Sequence, residues 1–507
     1  MRALRALSER DRSIIVGLLA FALAAVWSVA SPLSSGPDEL AHAAKAASTV
    51  RGVLVGEQSP GRSPGFRDVV IPGVLVGPDP TCFVLKLDAT ADCLAFDLPA
   101  EDVRSSTSAG TYPPVYYALV GLPTLVFSGI SGVRLERLLG AALFGIFVGL
   151  AWRVARSCGR PGAVRAGIAV AVTPMALFSA AVINPSGLEI AAALAFWVAL
   201  VARVSGGGRV VAVSVAVAGS ALACARPASP LWTVLIVGLV AVWAGVTRRA
   251  ELSSTIRILW QPLVPVAVVC LAQSVWVKVV GVDDLPQESA VRASDAVEAF
   301  RSAIGQTGTY LLHSVGTVGW LDLFPPFVSV AVWSLSAGGL LAFVVAGARG
   351  RHLVAIGLLA ILWWVMPAVF EADQATQSGF RWQGRYGLPL LIGIPVLCGA
   401  SLTFRPALVV AHRCRVVVGI GLWAGHVSLF YWALHRYMVG VSGPLWPFGS
   451  PAWNPPGGGL VNLVVFAVVT AAFLAAVLGL PAEVSHGTGE EPPHGTEHAL
   501  ESSARRP

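Results

Sequence analysis

The chain has 507 residues, of which 55% are hydrophobic and only 12% charged, with a mean hydropathy of +0.72. A soluble globular chain carries about 25% charged residues, so this composition excludes one and defines a polytopic, all-α membrane protein. The net charge of +7 is scattered in short arginine clusters between apolar runs, which marks topology and excludes a nucleic-acid-binding stripe.

Arg2, Arg5, Arg10 and Arg12 precede the first apolar run, so residues 1–13 are expected in the cytoplasm and residues 14–31 cross outward as an uncleaved span. The polar stretch Ser34-Ser35-Gly36-Pro37-Asp38-Glu39-Leu40-Ala41-His42 follows at once. Gly36 and Pro37 start a helix on which Asp38 and His42, four residues apart, share one face. An acid and an imidazole so placed can address one substrate or ion. The competing reading is a capped helix start, in which Asp38 or Glu39 complements the N-terminal dipole; it leaves His42 unexplained.

The loop after the first span is expected outside the cell. Its Cys82 and Cys93 suit a disulfide in an oxidising compartment, while the other five cysteines have no ligand spacing and support no zinc site. The apolar run from Tyr112 to Ile130 decides the rest of the topology. If it spans, Arg153, Arg156, Arg160 and Arg165, and every later cluster, fall outside; if it does not, all are cytoplasmic, as the positive-inside rule demands. Residues 113–130, broken by Pro113, Pro114 and Pro123, are therefore expected along the outer face as a juxtamembrane or re-entrant helix.

Spans then run over about 136–154, 165–183, 187–203, 209–225, 230–247, 258–280, 326–347, 353–370, 386–403, 416–434 and 459–480. With the first they make twelve, and both termini lie inside. The integral domain is 14–480, with outer loops 32–135, 281–325, 371–385 and 435–458 and short outer turns at Asn184 and Arg226. Within 285–304 the alternation of apolar and charged residues predicts an interfacial amphipathic helix, and 481–507 reads as a disordered cytoplasmic tail.

Several polar residues gather at the outer mouths of spans. Asn184-Pro185-Ser186-Gly187-Leu188-Glu189 is a tight turn able to close on the Asp38 corner, with Glu189 at a span start. Arg226, Arg381 and Arg385 are arginines on the outer side, against the bias of the rest, and Tyr386 follows the last. Arginine pairs bidentately with phosphate oxygens, so they point to a phosphate-bearing ligand; snorkelling to headgroups is the competing reading. Asp322, in Gly319-Trp320-Leu321-Asp322, is a further acid at a membrane entry, able to bind hydroxyls, orient an arginine or cap a helix.

An acidic pair after the first span, a large first outer loop and a Pro-Pro-Val-Tyr-Tyr juxtamembrane helix at 113–117 resemble the GT-C superfamily of membrane glycosyltransferases, which use polyprenyl-phosphate-linked sugars on the outer face. The set Pro37–His42, Asn184–Glu189, Gly319–Asp322 and Gly384-Arg385-Tyr386-Gly387-Leu388-Pro389 is similar to a bacterial membrane-protein family known as domain of unknown function 2142, over about residues 12–480. The resemblance implies a GT-C-like fold in the bacterial plasma membrane. It also implies Asp38 as a base and Glu39 as a supporting acid or metal ligand, with a divalent ion left open among Asp38, Glu39 and His42. The substrate-binding set is His42, Asn184, Glu189, Arg226, Asp322, Arg381, Arg385 and Tyr386. The expected partners are a polyprenyl-phosphate-linked sugar, an envelope glycan, lipid or protein acceptor, and membrane lipids, with no nucleic acid. A transporter or lipid-handling protein and a non-catalytic envelope scaffold are the rival functions.

Overall fold

The computed structural model describes residues 8–62, 65–248, 251–281, 291–347, 350–402 and 408–479. The tail from 481, Arg2, Arg5, Arg249, Arg349, Arg405 and the 285–290 part of the expected amphipathic helix lie outside these residues. Helix α1, Glu9–Ala30, is started by Ser8, whose hydroxyl oxygen accepts from Asp11 N. Its 22 residues extend about 33 Å, enough for a hydrocarbon core of about 30 Å. Val16, Ala20, Leu23, Ala24 and Trp27 are buried along one face, and Ile14, Leu18 and Val29 are exposed along another, the division expected of a span with one side in protein and one in lipid.

After α1 come the short helices α2, Glu39–Thr49, and α3, Pro114–Val120, and then the long α4, Gly129–Val154. Residues 113–130 thus form a seven-residue helix and a 3-10 turn at Leu122–Leu125 rather than a span. Helix α4 packs tightly on α1 through small residues: a Cβ on Gly17 would lie 2.9 Å from Gly145 O, and one on Gly145 2.5 Å from Gly17 O. Such contacts let two membrane helices approach backbone to backbone. Gly145→Val is expected to destabilise the protein by about 1–3 kcal/mol, read as a lower unfolding temperature in detergent; an unchanged value would show that the two helices separate at no cost.

The next elements are α5, Pro161–Ala171, α6, Pro174–Ala181, α7, Pro185–Val204, α8, Arg209–Ala223, α9, Ser229–Arg248, and α10, Leu252–Val280. Helix α7 is apolar all round and almost wholly buried, so it is the pillar of the core, and its N-terminus carries Asn184, Ser186 and Glu189 to one end of the bundle. The chain bends by 62° between α5 and α6, where Pro174 opens α6 and the Thr173 side chain accepts from Ala176 N.

Helices α11, Ala296–Gly305, and α12, Thr307–Val315, precede α13, Phe327–Gly347, and α14, Leu353–Ser378. The segment 384–401 is built in pieces: a 3-10 turn at Gly384–Gly387, α15, Leu388–Leu391, and α16, Gly393–Ser401. Trp197 of α7 donates its indole N–H to Pro389 O at 2.9 Å, supplying a partner where the segmented backbone lacks one. Helices α17, Leu408–Val439, and α18, Gly459–Leu478, complete the chain.

Among the described residues, eight helices are long and apolar enough to cross a membrane, or nine if α5 and α6 count as one bent span. The sequence pattern predicted twelve. The remaining expected spans fall on α8, α13 and the broken α15–α16 segment; α8 has fifteen residues and extends only about 22 Å.

The loop between α1 and α4 holds a three-stranded antiparallel sheet that the sequence reading did not anticipate. Strand β1 is Glu57–Gln58, β2 Arg67–Pro72 and β3 Asp102–Thr107, in the order β1-β2-β3, with Arg67 opposite Thr107 and Pro72 opposite Asp102. Val69 and Ile71 bury against Ala43, Ala44 and Ala47 of α2, and this single alternating pair is too short a signal to predict a strand. Cys82 and Cys93 are joined in a disulfide, and Phe83 and Leu94 of that loop pack on Tyr437 of α17.

Candidate active site

Asp38 stands immediately before α2 with φ at +62° and makes no side-chain capping bond. A non-glycine residue there costs about 1–2 kcal/mol, and the carboxylate gains nothing from the dipole amides in return. Helix capping therefore does not account for it. The side chain is 48% exposed, and its Oδ2 lies 3.7 Å from a terminal guanidinium nitrogen of Arg385, a side chain only 4% exposed.

Glu39, the next residue, turns the opposite way. Its carboxylate takes Arg137 of α4 in a fork, at 2.6 Å from Nε and 2.7 Å from Nη2. It also accepts from Ile183 N at 3.1 Å and Gly36 N at 3.3 Å. Arg137 spends its other donors on the carbonyls of Ser28, Ser31 and Pro32, which α1 leaves without helical partners as it ends. Both side chains are buried. Glu39 is thus a clasp joining α1, α2, α4 and the start of α7.

The cationic side of the site comes from the α8–α9 turn and the 3-10 turn before α15. Arg226 donates to Ser186 Oγ at 3.1 Å and lies 3.7 Å from a Glu189 oxygen; Glu189 is buried and accepts from Ser229 Oγ at 2.6 Å. Arg226 also hydrogen-bonds the Tyr112 side chain. Burial works against its charge, but Glu189 and Tyr112 outweigh that and leave the pKa raised. The Arg226 guanidinium lies 4.5 Å from the Tyr386 ring centre and that of Arg385 5.5 Å from it, so one aromatic ring serves two cations. Asn184 caps α7 through Ser186 N and donates its amide to Pro37 O at 3.5 Å, tying this turn to the Asp38 corner.

His42 lies on the inner face of α2, 2.8 Å from the Tyr117 hydroxyl through Nδ1 and against the Tyr112 and Tyr117 rings. Desolvation, with Arg226 and Arg385 adding to it, holds its pKa well below the usual histidine range, so the imidazole is neutral at physiological pH. The folded state resists protonation that the unfolded chain accepts, so its contribution is complete above about pH 6.5 and is lost as pH falls through the depressed folded pKa. Stability should drop by at most about 1.4 kcal/mol per pH unit in that window. Comparing unfolding temperatures at pH 7.5 and 5.5 checks this; His42→Gln should reduce the difference, and an equal difference in both proteins would remove His42 as its source.

Tyr112, Tyr117 and buried Lys45 complete this wall. Burial pushes the phenols up and lowers Lys45 to about 8. Lys45 donates to Gly110 O at 2.7 Å and to Leu54 O.

Two expected members stand apart. The Arg381 backbone N–H donates to Glu371 of α14 at 2.8 Å and its Nε to Ser378 O at 3.3 Å, so it is engaged at the end of α14. Asp322 accepts from Trp320 N and Leu85 N and lies 3.7 Å from buried Arg436 of α17. Arg436 donates in turn to the carbonyls of Phe83, Lys86 and Ala89, so this pair anchors the disulfide loop. The sequence reading gave no site role to Arg137, Arg436 or Lys45, and Tyr112 and Tyr117 entered it only within the 112–130 run. An arginine inside an apolar segment is itself a signal, and Arg137 and Arg436 carried it.

A divalent metal does not fit these residues. The Glu39 oxygens are taken by Arg137 and two backbone amides, His42 Nδ1 is taken by Tyr117, and Arg385 lies 3.7 Å from the remaining carboxylate, that of Asp38. Among the described residues no group of three His, Cys, Asp or Glu side chains is placed to hold a cation.

Residues 21–394 match the family described as "Predicted membrane protein (DUF2142)". Two solved structures of ArnT from Cupriavidus metallidurans are similar to this chain. The apo form has 15% identity and a TM-score of 0.45, covering 90% of this chain and 74% of that one. The form bound to undecaprenyl phosphate has 14% identity and a TM-score of 0.47, covering 92% and 76%. No curated protein matches the sequence.

Proposed function

The chain belongs to the DUF2142 family of membrane proteins, and on that premise we propose that it is an inverting, GT-C-type glycosyltransferase. It takes a sugar from a polyprenyl phosphate and passes it to an envelope glycan, lipid or protein acceptor. The observation that carries this reading is the juxtaposition of a half-exposed, uncapped carboxylate with a buried arginine, Asp38 and Arg385, beside a second arginine on the same tyrosine ring. A base and an anion-binding pair within one site are what displacement of a phosphate by a hydroxyl requires.

In the reaction, Asp38 accepts the proton of the acceptor hydroxyl as that oxygen attacks the anomeric carbon. The carbon–oxygen bond to phosphate breaks, and the polyprenyl phosphate leaves with the electron pair, its charge held by Arg385 and Arg226. Glu39 acts as a positioning residue through Arg137, and neutral His42, steadied by Tyr117, offers a hydrogen bond to the sugar or the phosphate. Asn184, Glu189 and Tyr386 hold the arginines in place. Arg381 and Asp322 frame the mouth from outside the contact set.

An apolar cavity of about 300 Å³, lined by Val170, Leu311, Val315, Leu341, Leu391 and Ile394, offers a seat for the isoprenoid chain. It reaches Ser314, whose hydroxyl donates to Gly384 O next to Arg385. The arginine bias of the connecting loops assigns the site to the extracytoplasmic face of a bacterial plasma membrane, with both termini inside. Incubation of purified protein with a panel of polyprenyl-phosphate sugars and acceptor lipids, followed by product mass spectrometry, tests the reading. Release of free polyprenyl phosphate with a glycosylated product is the expected result, and intact donor throughout the panel would count against it.

A further inference from the structure

A second cavity, of about 340 Å³, lies on the far side of the Glu39–Arg137 clasp. Its walls come from the end of α1 and the following loop (Val29, Leu33), the disulfide loop (Phe96), the first turns of α4 (Arg134, Leu138) and the segment before α18 (Asn454). Exposed apolar side chains flank its mouth, as a lipid-facing position requires. Val29 continues the exposed stripe of Ile14 and Leu18 along α1, and exposed Arg134 and half-buried Leu138 share one face of α4. Whole-turn spacings of four residues in α4, and of four and eleven in α1, keep each set on one helix face.

Two polar groups at this mouth, Arg134 and the Asn454 amide, keep donors to offer. Arg137 reaches the cavity wall, but its donors are taken by Glu39 and three carbonyls. Arg134 is exposed, and no ion pair or hydrogen bond engages it among the described residues. Asn454 accepts from Gly459 N through Oδ1, which leaves its amide N–H₂ as a donor. A cation and an amide donor at the membrane interface, above an apolar cleft open to acyl chains, match an anionic headgroup with its tails below.

We propose that this cleft is a binding site for one anionic phospholipid, its phosphodiester oxygens on Arg134 and Asn454 and an acyl chain between α1 and α4 against Val29, Leu33, Phe96 and Leu138. The inference stands independently of the transferase reading, because it concerns a different cavity and is read by binding alone.

Native mass spectrometry of the full chain in detergent tests it, with titration by phosphatidylglycerol, by phosphatidylcholine of the same acyl chains, and by glycerol phosphate. One phosphatidylglycerol should bind about fivefold tighter than phosphatidylcholine, and glycerol phosphate should not bind at matched concentration. Arg134→Gln should bring phosphatidylglycerol down to the phosphatidylcholine level. Leu138→Trp, which fills the cleft and keeps Arg134, should also remove the tight adduct. Equal binding of the two lipids, or an unchanged affinity in Arg134→Gln, overturns the proposal. Retention of the adduct in Leu138→Trp overturns it in favour of attraction at the surface, and glycerol phosphate binding as tightly as the lipid overturns it in favour of a free-phosphate site.

Discussion

Asp38→Asn is expected to lower the rate of sugar transfer by about 10²–10⁴-fold while the protein remains folded. The amide is nearly isosteric and keeps one oxygen toward Arg385, but it cannot take a proton from the acceptor. Because the carboxylate forms no capping bond and is half exposed, its loss removes little that holds α2 in place. The unfolding temperature in detergent should therefore stay close to that of the wild type. Donor binding should survive as well, since Arg226 and Arg385 remain. Single-turnover assays with saturating polyprenyl-phosphate sugar separate the terms: the expected result is a slow chemical step with near-normal donor affinity. Undiminished turnover would remove Asp38 from the chemistry and leave its strained backbone without a function.

The second large effect is structural. Arg137→Leu should cost about 3–5 kcal/mol, because it strands the buried Glu39 carboxylate without its cation and leaves the carbonyls of Ser28, Ser31 and Pro32 without a donor. Little folded protein is expected from membrane extracts. Replacing both partners, Glu39→Leu with Arg137→Leu, should recover a measurable part of that loss, since a buried charge without a partner is worse than no charge. Fluorescence-detected size exclusion of the four proteins of the cycle reads this directly. Single changes that simply add in the double variant would mean that the fork contributes no coupling.

The corner at Asp38 was legible because three ionisable residues within five positions beside an apolar run have few reasons to be there. Arg226 and Arg385 were legible for a related reason, standing apart from the short arginine clusters that follow the apolar runs. What the sequence left undecided was direction. Asp38 and Glu39 are neighbours in every pattern, yet with the left-handed backbone at Asp38 one carboxylate meets Arg385 and the other Arg137 inside the bundle, and spacing alone carries no sign of that. Arg381 and Arg385 share a helical spacing of four, but Phe380 to Gln383 are not helical, so that spacing does not put them on one helix face. Arg137 and Arg436 find partners about a hundred and several hundred residues away, beyond the reach of local pattern. The broken α15–α16 segment depends on Trp197 from α7, and its hydropathy reads as an ordinary span.

The anchoring of the disulfide loop by Arg436 sets a constraint on biosynthesis. Its partner carbonyl at Ala89 precedes it by 347 residues, so the loop leaves the ribosome long before its clamp exists. At about 5–20 residues per second, the delay is roughly 20–70 s. During that interval Phe83 and Leu94 have no Tyr437 to cover them, and the loop is open to proteases and chaperones. A nascent chain stalled before α17 should be cut within residues 78–97, and the same segment in the finished protein should resist.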